Sequence, residues 1–210
     1  MKNPNDIILE KLRNNGYEFY LSKYFDSGMQ LFRKNIGEFV AYGAIIAAIA
    51  MSLSFLPTIG SLIFSLISIV FTAGFYFVAN NVLREEPIKF EQFFQGFKFA
   101  GELILAQVLI SIFTFIGFLL LIIPGVYLAV SYSFTSFFII FMKYSSWEAM
   151  EWSRKIVAIK FWPIFGLVLL MGLINLAGAL FCGLGLLFTL PYTACITYSA
   201  FEDIISNARS

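Results

Sequence analysis

The chain has 210 residues, of which 60% are hydrophobic, 19% aromatic and only 13% charged. An average soluble domain carries about 25% charged residues. The 14 Lys and Arg and 13 Asp and Glu leave a formal net charge of +1, so no strongly basic surface exists to attract nucleic acid. These proportions exclude an ordinary water-soluble domain, a disordered chain and a nucleic-acid-binding protein.

The first 24 residues are mixed polar and charged, and they are rich in aromatic side chains such as Tyr17, Phe19, Tyr20 and Tyr24. A segment of this length exceeds what a simple membrane anchor needs. We therefore predict that residues 1–24 form a cytoplasmic N-terminal segment that takes part in docking a partner.

Three stretches lack Asp, Glu, Lys and Arg altogether: residues 39–83, 103–142 and 161–201, which are 45, 40 and 41 residues long. A helix crosses a bilayer with about 20 apolar residues, so each stretch is long enough for two crossings. Helix-breaking Pro and Gly lie near each middle, at Leu56-Pro57-Thr58-Ile59-Gly60, Ile123-Pro124-Gly125 and Cys182-Gly183-Leu184-Gly185. The pattern predicts six helical spans: about Phe39 to Leu56, Ile59 to Ala79, Leu103 to Ile123, Val126 to Met142, Pro163 to Phe181, and Leu186 to Phe201.

With six crossings, both termini and the charged connections 84–102 and 143–160 lie on one side of the membrane. All 14 Lys and Arg lie on that side, and none lies in the three turns opposite. Positive charge near the ends of spans marks the cytoplasmic side. The sequence therefore predicts a multi-pass membrane protein with both termini in the cytoplasm.

The charged segments before each hairpin have helical periodicity of their own. Apolar residues recur on one helix face in each segment: Phe25, Met29, Phe32 and Ile36; Phe90, Phe93, Phe94 and Phe97; and Ala149, Trp152, Ile156 and Ile159. Ser145-Ser146-Trp147-Glu148 has the pattern of a capping box. Such helices are expected to lie in the membrane interface, and the side chains predicted to contact the interface or a partner are Phe25, Met29, Phe32, Phe90, Phe93, Phe94, Phe97, Trp147 and Trp152.

An amphipathic helix followed by a helical hairpin thus occurs three times, at residues of about 25–83, 84–142 and 143–201. Each copy begins on the cytoplasmic side, so the repeats are parallel and differ from the inverted repeats of many transporters. The predicted fold is an all-α polytopic membrane protein with a six-span domain at residues 25–201 and a cytoplasmic tail at residues 202–210.

Residue types that carry catalysis or bind metals are scarce. The chain has no His, and Cys182 and Cys195 would lie too far apart along a helix to form a disulfide. No ionisable residue lies in a predicted span, and no nucleophile motif accompanies the cytoplasmic carboxylates. We therefore expect no catalytic residue, no cofactor and no metal.

A few polar side chains lie within the predicted spans. Asn and Gln in such positions most often form hydrogen bonds between helices. The alternative is a polar cavity between the repeats, and the residues expected to line it are Gln107, Tyr132, Asn175, Tyr192 and Tyr198.

Several motifs resemble those of a bacterial family. They are Phe25-Asp26-Ser27-Gly28-Met29-Gln30-Leu31-Phe32-Arg33-Lys34-Asn35, Ile123-Pro124-Gly125-Val126-Tyr127-Leu128, Glu148-Ala149-Met150-Glu151-Trp152-Ser153, and Cys182-Gly183-Leu184-Gly185 with Pro191-Tyr192 and Tyr198. From about residue 20 onward, the chain resembles small six-span membrane proteins related to the glycerophosphoryl diester phosphodiesterase membrane domain. That name comes from fusion to a separate hydrolase domain, which these 210 residues do not contain. The resemblance implies a membrane module rather than phosphodiesterase activity.

Three functional hypotheses follow. The first is a non-enzymatic protein of the bacterial inner membrane, an accessory or scaffold subunit that binds a protein partner, a second copy of itself or lipid through its cytoplasmic face. The second is a small transporter or lipid-handling protein with a polar cavity between the repeats. The third is an enzyme acting on lipid headgroups with Glu148 or Glu151 as base, which requires a strongly raised carboxylate pKa.

Overall fold

The computed structural model describes residues 4–56, 58–181 and 183–209. Most of the described residues lie in helices, and none of them lies in a strand. The helices of the described part are α1 Pro4–Asn15, α2 Leu21–Lys34, α3 Ile36–Ser54, α4 Ile59–Leu83, a 3-10 helix at Phe90–Phe99, α5 Ala100–Leu120, α6 Ile122–Ser131, α7 Thr135–Met142, α8 Ser146–Ile159, α9 Phe161–Leu180 and α10 Leu186–Arg209.

Five helical segments of the described residues are long and apolar enough to cross a membrane. They are Ile36–Ser54, Ile59–Leu83, Phe90–Leu120, Ile122–Met142 and Phe161–Leu180. The last predicted span, Leu186 to Phe201, lies in α10, and this helix continues through the charged residues Glu202 and Asp203. The all-α membrane-type fold predicted from the sequence is therefore confirmed at the level of five long apolar helices.

Two compact units divide the chain. The first contains Met1–Leu21, Gly101–Leu169 and Ala200–Ser210, and the second contains Ser22–Ala100 and Leu170–Ser199. Both α9 and α10 contribute residues to each unit. In the first unit α8 packs on α1, α6 and α7, and in the second α4 packs on α3 and on the 3-10 helix.

The first and third hairpin turns fall where Pro and Gly predict them. In the first, α3 ends at Ser54 and α4 begins at Ile59 after Thr58, whose φ is 67°. In the third, α9 ends at Leu180 and Gly183 has a φ of 75°, a conformation that glycine adopts without steric cost. Pro57 and Cys182, which belong to these two predicted turns, lie outside the described residues.

The second predicted turn, Ile123-Pro124-Gly125, is wrong. The chain breaks instead at Leu121, which is extended with φ −165° and ψ 155°, and Pro124 lies in the first turn of α6. Proline is tolerated there because the first N–H groups of a helix have no helical acceptor. Gly125 serves close packing, since a Cβ at this position would lie 2.5 Å from the Phe118 ring. The predicted span Val126 to Met142 is also interrupted, because α6 ends at Ser131 and α7 begins at Thr135.

The predicted amphipathic segment at Phe90 is a 3-10 helix rather than an α-helix. A 3-10 helix has three residues per turn, so Phe90, Phe93 and Gly96 share one side. Phe93 and Gly96 are buried on this side, whereas Phe94 and Phe97 remain exposed. Gly96 takes part because its missing Cβ allows the Val70 carbonyl of α4 to approach closely.

Aromatic rings form the core beneath the 3-10 helix. Tyr42 of α3 stacks on Phe93 with ring centroids 4.5 Å apart, and it meets Phe75 of α4 edge-on at 5.1 Å. The Tyr42 hydroxyl donates a hydrogen bond to the Phe71 carbonyl at 3.2 Å. Edge-on and stacked aromatic pairs of this kind contribute beyond their buried area.

The N-terminal segment forms a packed element rather than a free arm. Leu9 and Leu12 of α1 are 0% and 2% exposed, and the Tyr17 hydroxyl donates a hydrogen bond to the Ile156 carbonyl of α8 at 3.0 Å. In contrast, Tyr20 is 50% exposed. The aromatic residues of this segment are therefore divided between internal packing and the surface.

Replacing Gly74 by Ala should destabilise the second unit. The new Cβ would overlap the Phe93 carbonyl oxygen and lie 2.7 Å from the Tyr42 hydroxyl, so the 3-10 helix would have to move off α4. We expect a loss of about 1–3 kcal/mol, seen as a lower midpoint of thermal unfolding in detergent. Gly37→Ala is the matched control because nothing lies within 4 Å of its new Cβ, and it should unfold at the same temperature or slightly higher. Equal midpoints for the two variants would contradict this packing.

Candidate functional site

The break between α6 and α7 is held by a side chain from α8. The hydroxyl of Ser153, which is fully buried, donates a hydrogen bond to the Ser131 carbonyl at 2.7 Å and accepts one from the Phe134 N–H at 3.2 Å. Both backbone groups lack a partner in their own helices because the helix is interrupted. A non-helical backbone inside an apolar segment requires such partners. Ser153 therefore fixes α8 to the break.

Two carboxylates fix the N-terminus of α8. The predicted capping box is confirmed, since the Ser145 hydroxyl lies 2.8 Å from Oε2 of Glu148 and the Ser145 N–H donates to the same oxygen at 3.3 Å. In addition, the Glu102 carboxylate of α5 accepts the Ser146 N–H at 2.7 Å and contacts the Ser146 hydroxyl. Negative groups are favourable at the N-terminus of a helix. The position of α8 is therefore set at its start as well as at Ser153.

The exposed side of α8 carries an ionic cluster. Arg154 donates from Nη2 to both carboxylate oxygens of Glu151, at 2.9 and 3.0 Å, and from Nε at 3.2 Å. The Lys155 ammonium lies 3.4 Å from the same carboxylate and 4.7 Å from the centre of the Trp152 ring. Hydrogen bonds from Arg154 are the main reason that the pKa of Glu151 is lowered. This shift is opposite to the one that the enzyme hypothesis requires of Glu151.

A cavity of about 260 Å³ in the first unit lies beside this cluster. Its lining residues are Phe113, Tyr132, Trp147, Met150, Glu151 and Arg154. Tyr132 reaches the cavity from the break, where it directly follows α6, and Trp147 reaches it from the first turn of α8. The Trp147 ring meets Phe113 edge-on, with ring centroids 6.1 Å apart. The break and the start of α8 thus bring aromatic and charged side chains to one place.

The second unit contains a larger and mostly apolar cavity of about 410 Å³. Its polar lining includes Asn175, whose Nδ2 donates to the Thr193 hydroxyl at 3.2 Å, and Thr197, whose hydroxyl donates to the Thr193 carbonyl at 2.8 Å. The amide of Asn175 therefore links α9 to α10, as expected of a polar residue within a span. A neighbouring crevice of about 400 Å³ shares Ile46, Phe64, Phe75 and Leu190 with this cavity.

The five residues predicted to line a common cavity are divided between the units. Gln107 and Tyr132 belong to the first unit, and Asn175, Tyr192 and Tyr198 belong to the second. Tyr132 and Asn175 line the two cavities described above. Gln107 accepts a hydrogen bond from Ser111 through its backbone carbonyl, Tyr192 packs against the Phe32 ring at 6.2 Å, and Tyr198 donates to the Asn80 side chain at 2.9 Å.

The predicted surface aromatics also differ in exposure. Phe32 and Phe93 are 6% and 0% exposed. The prediction that they contact the interface or a partner is therefore wrong, because both rings pack inside the protein. Three of the others are only half-buried, namely Phe25, Met29 and Trp152. The remaining four are exposed: Phe90 at 37%, Phe94 at 39%, Phe97 at 48% and Trp147 at 61%.

Two contacts of the α8 site have no signal in the sequence. No motif sets Arg154 apart from the other charges of its segment, and Glu102 lies 44 residues before the Ser146 that it binds. No local pattern connects positions so far apart. The helix-start motif Ser145 to Glu148 was the available signal that α8 begins in a polar, well-ordered setting.

Within the described residues, no group of three His, Cys, Asp or Glu side chains is placed to hold a metal ion. Cys195 is buried as a free thiol. No family model matches the chain, and neither a curated protein nor a solved structure is significantly similar to it. The resemblance to six-span bacterial proteins thus stays a prediction.

Replacing Ser153 by Ala should destabilise the first unit. The substitution leaves the Ser131 carbonyl and the Phe134 N–H without their partner, and an unsatisfied buried group costs about 1–3 kcal/mol. We expect a lower unfolding midpoint in detergent and faster hydrogen exchange at residues 131–135. Ser65→Ala is the control, because its exposed hydroxyl only donates to the Leu62 carbonyl of its own helix. If the Ser65 variant is as unstable as the Ser153 variant, the hydrogen bonds of Ser153 do not stabilise the break.

Proposed function

We propose that this chain is a multi-pass protein of a bacterial inner membrane that acts without catalysing a reaction. In this proposal it is an accessory or scaffold subunit that binds a protein partner, a second copy of itself or lipid through its cytoplasmic face. The observation that carries the proposal is the exposure of Phe90, Phe94, Phe97 and Trp147, at 37 to 61%, on the segments that also carry Lys and Arg. Aromatic rings beside charges are typical of binding surfaces and of membrane interfaces.

The proposed topology has six spans in three parallel repeats. The apolar part of α10, residues 186–201, contains 16 residues. At 1.5 Å per residue it would extend about 24 Å, somewhat less than the hydrocarbon core of about 30 Å. Glu202 and Asp203 would then lie at the cytoplasmic boundary with the rest of the charges. The distribution of Lys and Arg supports this arrangement, because all 14 lie outside the three apolar stretches.

Reporter fusions test this topology. A reporter that is active only in the cytoplasm should be active after Ser210 and in the connection at Glu86, and inactive in the first turn at Pro57. If α10 does not cross the membrane, the fusions after Ser210 and at Glu86 will report opposite sides. That result would overturn the six-span proposal and leave the five long apolar helices.

The exposed aromatics, rather than residues 1–24 as a whole, are the proposed binding surface. Leu9, Leu12 and Tyr17 of the N-terminal segment are buried, and α1 covers part of α8. Deleting the segment would uncover α8 and confuse loss of binding with loss of structure. Substitutions of exposed rings disturb the fold less, because Phe94 and Phe97 are 39% and 48% exposed and each makes a single ring contact with α3 or α4, to Tyr42 at 5.5 Å and to Phe71 at 5.4 Å.

Purification in mild detergent tests binding directly. In the double variant Phe94→Ala and Phe97→Ala, the amount of co-purifying partner or lipid should fall at least about tenfold. Truncating an aromatic residue at the centre of an interface commonly weakens the binding free energy by about 2 kcal/mol or more. The control is Leu173→Ala, which removes a residue that is 52% exposed on the apolar helix α9. Recovery of neither partner nor lipid from any preparation of the unaltered chain would contradict the proposal.

The second candidate function is transport or lipid handling, and the cavity of about 410 Å³ beside Asn175 favours it. Asn175→Leu, examined in the same preparations, separates the two functions. Retained binding at the exposed aromatics supports the accessory role. Loss of a bound small molecule in this variant, with unchanged binding in the Phe94 and Phe97 variant, supports the transport role.

A further inference from the structure

The cavity in the first unit presents hydrogen-bond donors that the protein itself does not use. Arg154 binds Glu151 through Nε and Nη2, and its Nη1 has no hydrogen-bond partner among the described residues. The Tyr132 hydroxyl and the Trp147 indole N–H likewise have none in the described part of the chain. All three side chains line the same cavity of about 260 Å³. Donors gathered around an empty space fit a ligand that supplies several acceptor oxygens.

The local charge favours an anion. Glu151 contributes one negative charge, whereas Arg154 and Lys155 each place a positive charge within 3.4 Å of its carboxylate. This cluster therefore keeps a net positive charge after the ion pairs have formed. A guanidinium with a free N–H is well suited to a phosphate oxygen, because charge-assisted hydrogen bonds are about twice as strong as neutral ones.

The size and the lining of this cavity indicate that only part of a larger molecule enters it. Pockets that enclose whole drug-sized ligands measure about 300–1,000 Å³, and this cavity is smaller. Its lining combines Phe113 and Met150, which are apolar, with Arg154 and Glu151, which are charged. Phe113 belongs to the apolar helix α5, and Arg154 belongs to the charged helix α8. This mixed lining fits an amphiphile whose polar head contacts Arg154 and whose apolar part contacts Phe113.

We propose that the cavity binds the phosphodiester group of a phospholipid headgroup. Nη1 of Arg154 and the Tyr132 hydroxyl donate hydrogen bonds to phosphate oxygens, and Trp147 lies at the level where the headgroup meets the acyl chains. The proposal rests on the proposed function, because it specifies the lipid that the cytoplasmic face would bind. Glu151 keeps Arg154 oriented through its own hydrogen bonds and leaves Nη1 available.

Fluorescence of Trp147 reports binding. The chain has three Trp residues, so Trp152→Phe and Trp162→Phe leave Trp147 as the only indole. This protein, in detergent micelles, is titrated with a phospholipid that carries bromine on its acyl chains near the headgroup. Saturable quenching of Trp147 is expected, and a brominated diacylglycerol, which lacks the phosphate, should quench only weakly and without saturation.

Two variants and one control identify the donors. Arg154→Ala should weaken the apparent affinity at least about tenfold, and Tyr132→Phe, which removes only a hydroxyl, by a few-fold. Lys155→Ala removes a positive charge from the cluster but no donor from the cavity lining, so it should weaken the affinity by no more than about threefold, clearly less than Arg154→Ala. Where Arg154→Ala unfolds, Tyr132→Phe and Arg154→Lys replace it, since Lys retains the charge without the planar fork.

The result that overturns the proposal is equal quenching by phospholipid and diacylglycerol, or equal affinities for the Tyr132, Arg154 and Lys155 variants. Competition of inorganic phosphate with the brominated phospholipid is a further measurement. Phosphate that abolishes lipid quenching at micromolar concentration would identify a site for free phosphate and would also overturn it, whereas a lack of competition supports a lipid headgroup.

The experiments distinguish failure of the headgroup site from failure of the proposed function. A protein partner that is retained by the unaltered chain and by Arg154→Ala, but lost with Phe94 and Phe97, would uphold the accessory role whatever the lipid titration shows. Saturable, Arg154-dependent quenching with no protein partner in any preparation would uphold the headgroup site alone.

Discussion

The high cost of an unpaired polar group in an apolar surrounding governs this structure. In the described residues every backbone segment of the long apolar stretches is helical except at short breaks, because a helix satisfies its own N–H and C=O groups. Where the second stretch breaks between Ser131 and Thr135, the chain must supply partners from elsewhere. Ser153 supplies them, and this requirement fixes α8 against the break. The cavity beside Tyr132 exists because the break and α8 are held together.

The same reasoning explains why the 3-10 helix and α8 pack so closely on their neighbouring helices. The 3-10 helix makes its contact with α4 through Gly74 and Gly96, where missing side chains let backbone carbonyls approach. Helix α8 makes its contact through hydrogen bonds from Ser146 and Ser153 instead. The contact of the 3-10 helix thus depends on close steric fit, and the contact of α8 depends on hydrogen bonds. In each case the inner side is ordered by these contacts, so the exposed rings and charges on the outer side stand on a rigid support.

Sequence patterns located most helices because charge exclusion and hydrophobic length act locally. They placed α3, α4 and α9 within a few residues, and Ser145 to Glu148 identified the start of α8. Two of the misses depend on contacts distant in sequence. The break after Ser131 depends on Ser153, and the 3-10 geometry depends on the fit of Gly96 against Val70. For the site, polarity within a span drew attention to Tyr132 and Asn175, which line two different cavities, whereas no local pattern distinguishes Arg154 from the other charges of α8.

Helix α8 joins these features through two consecutive residues. Ser153 points to the break and is fully buried, whereas Arg154 lines the cavity and forms the ion pair with Glu151. A ligand that contacts Arg154 and Tyr132 together therefore bridges α8 and the break, which are the two elements that Ser153 already connects. Binding to the folded state alone adds its free energy to the stability of that state. Occupancy of the cavity would thus reinforce the contact on which the first unit depends, and a headgroup ligand would act on the fold as well as on the surface.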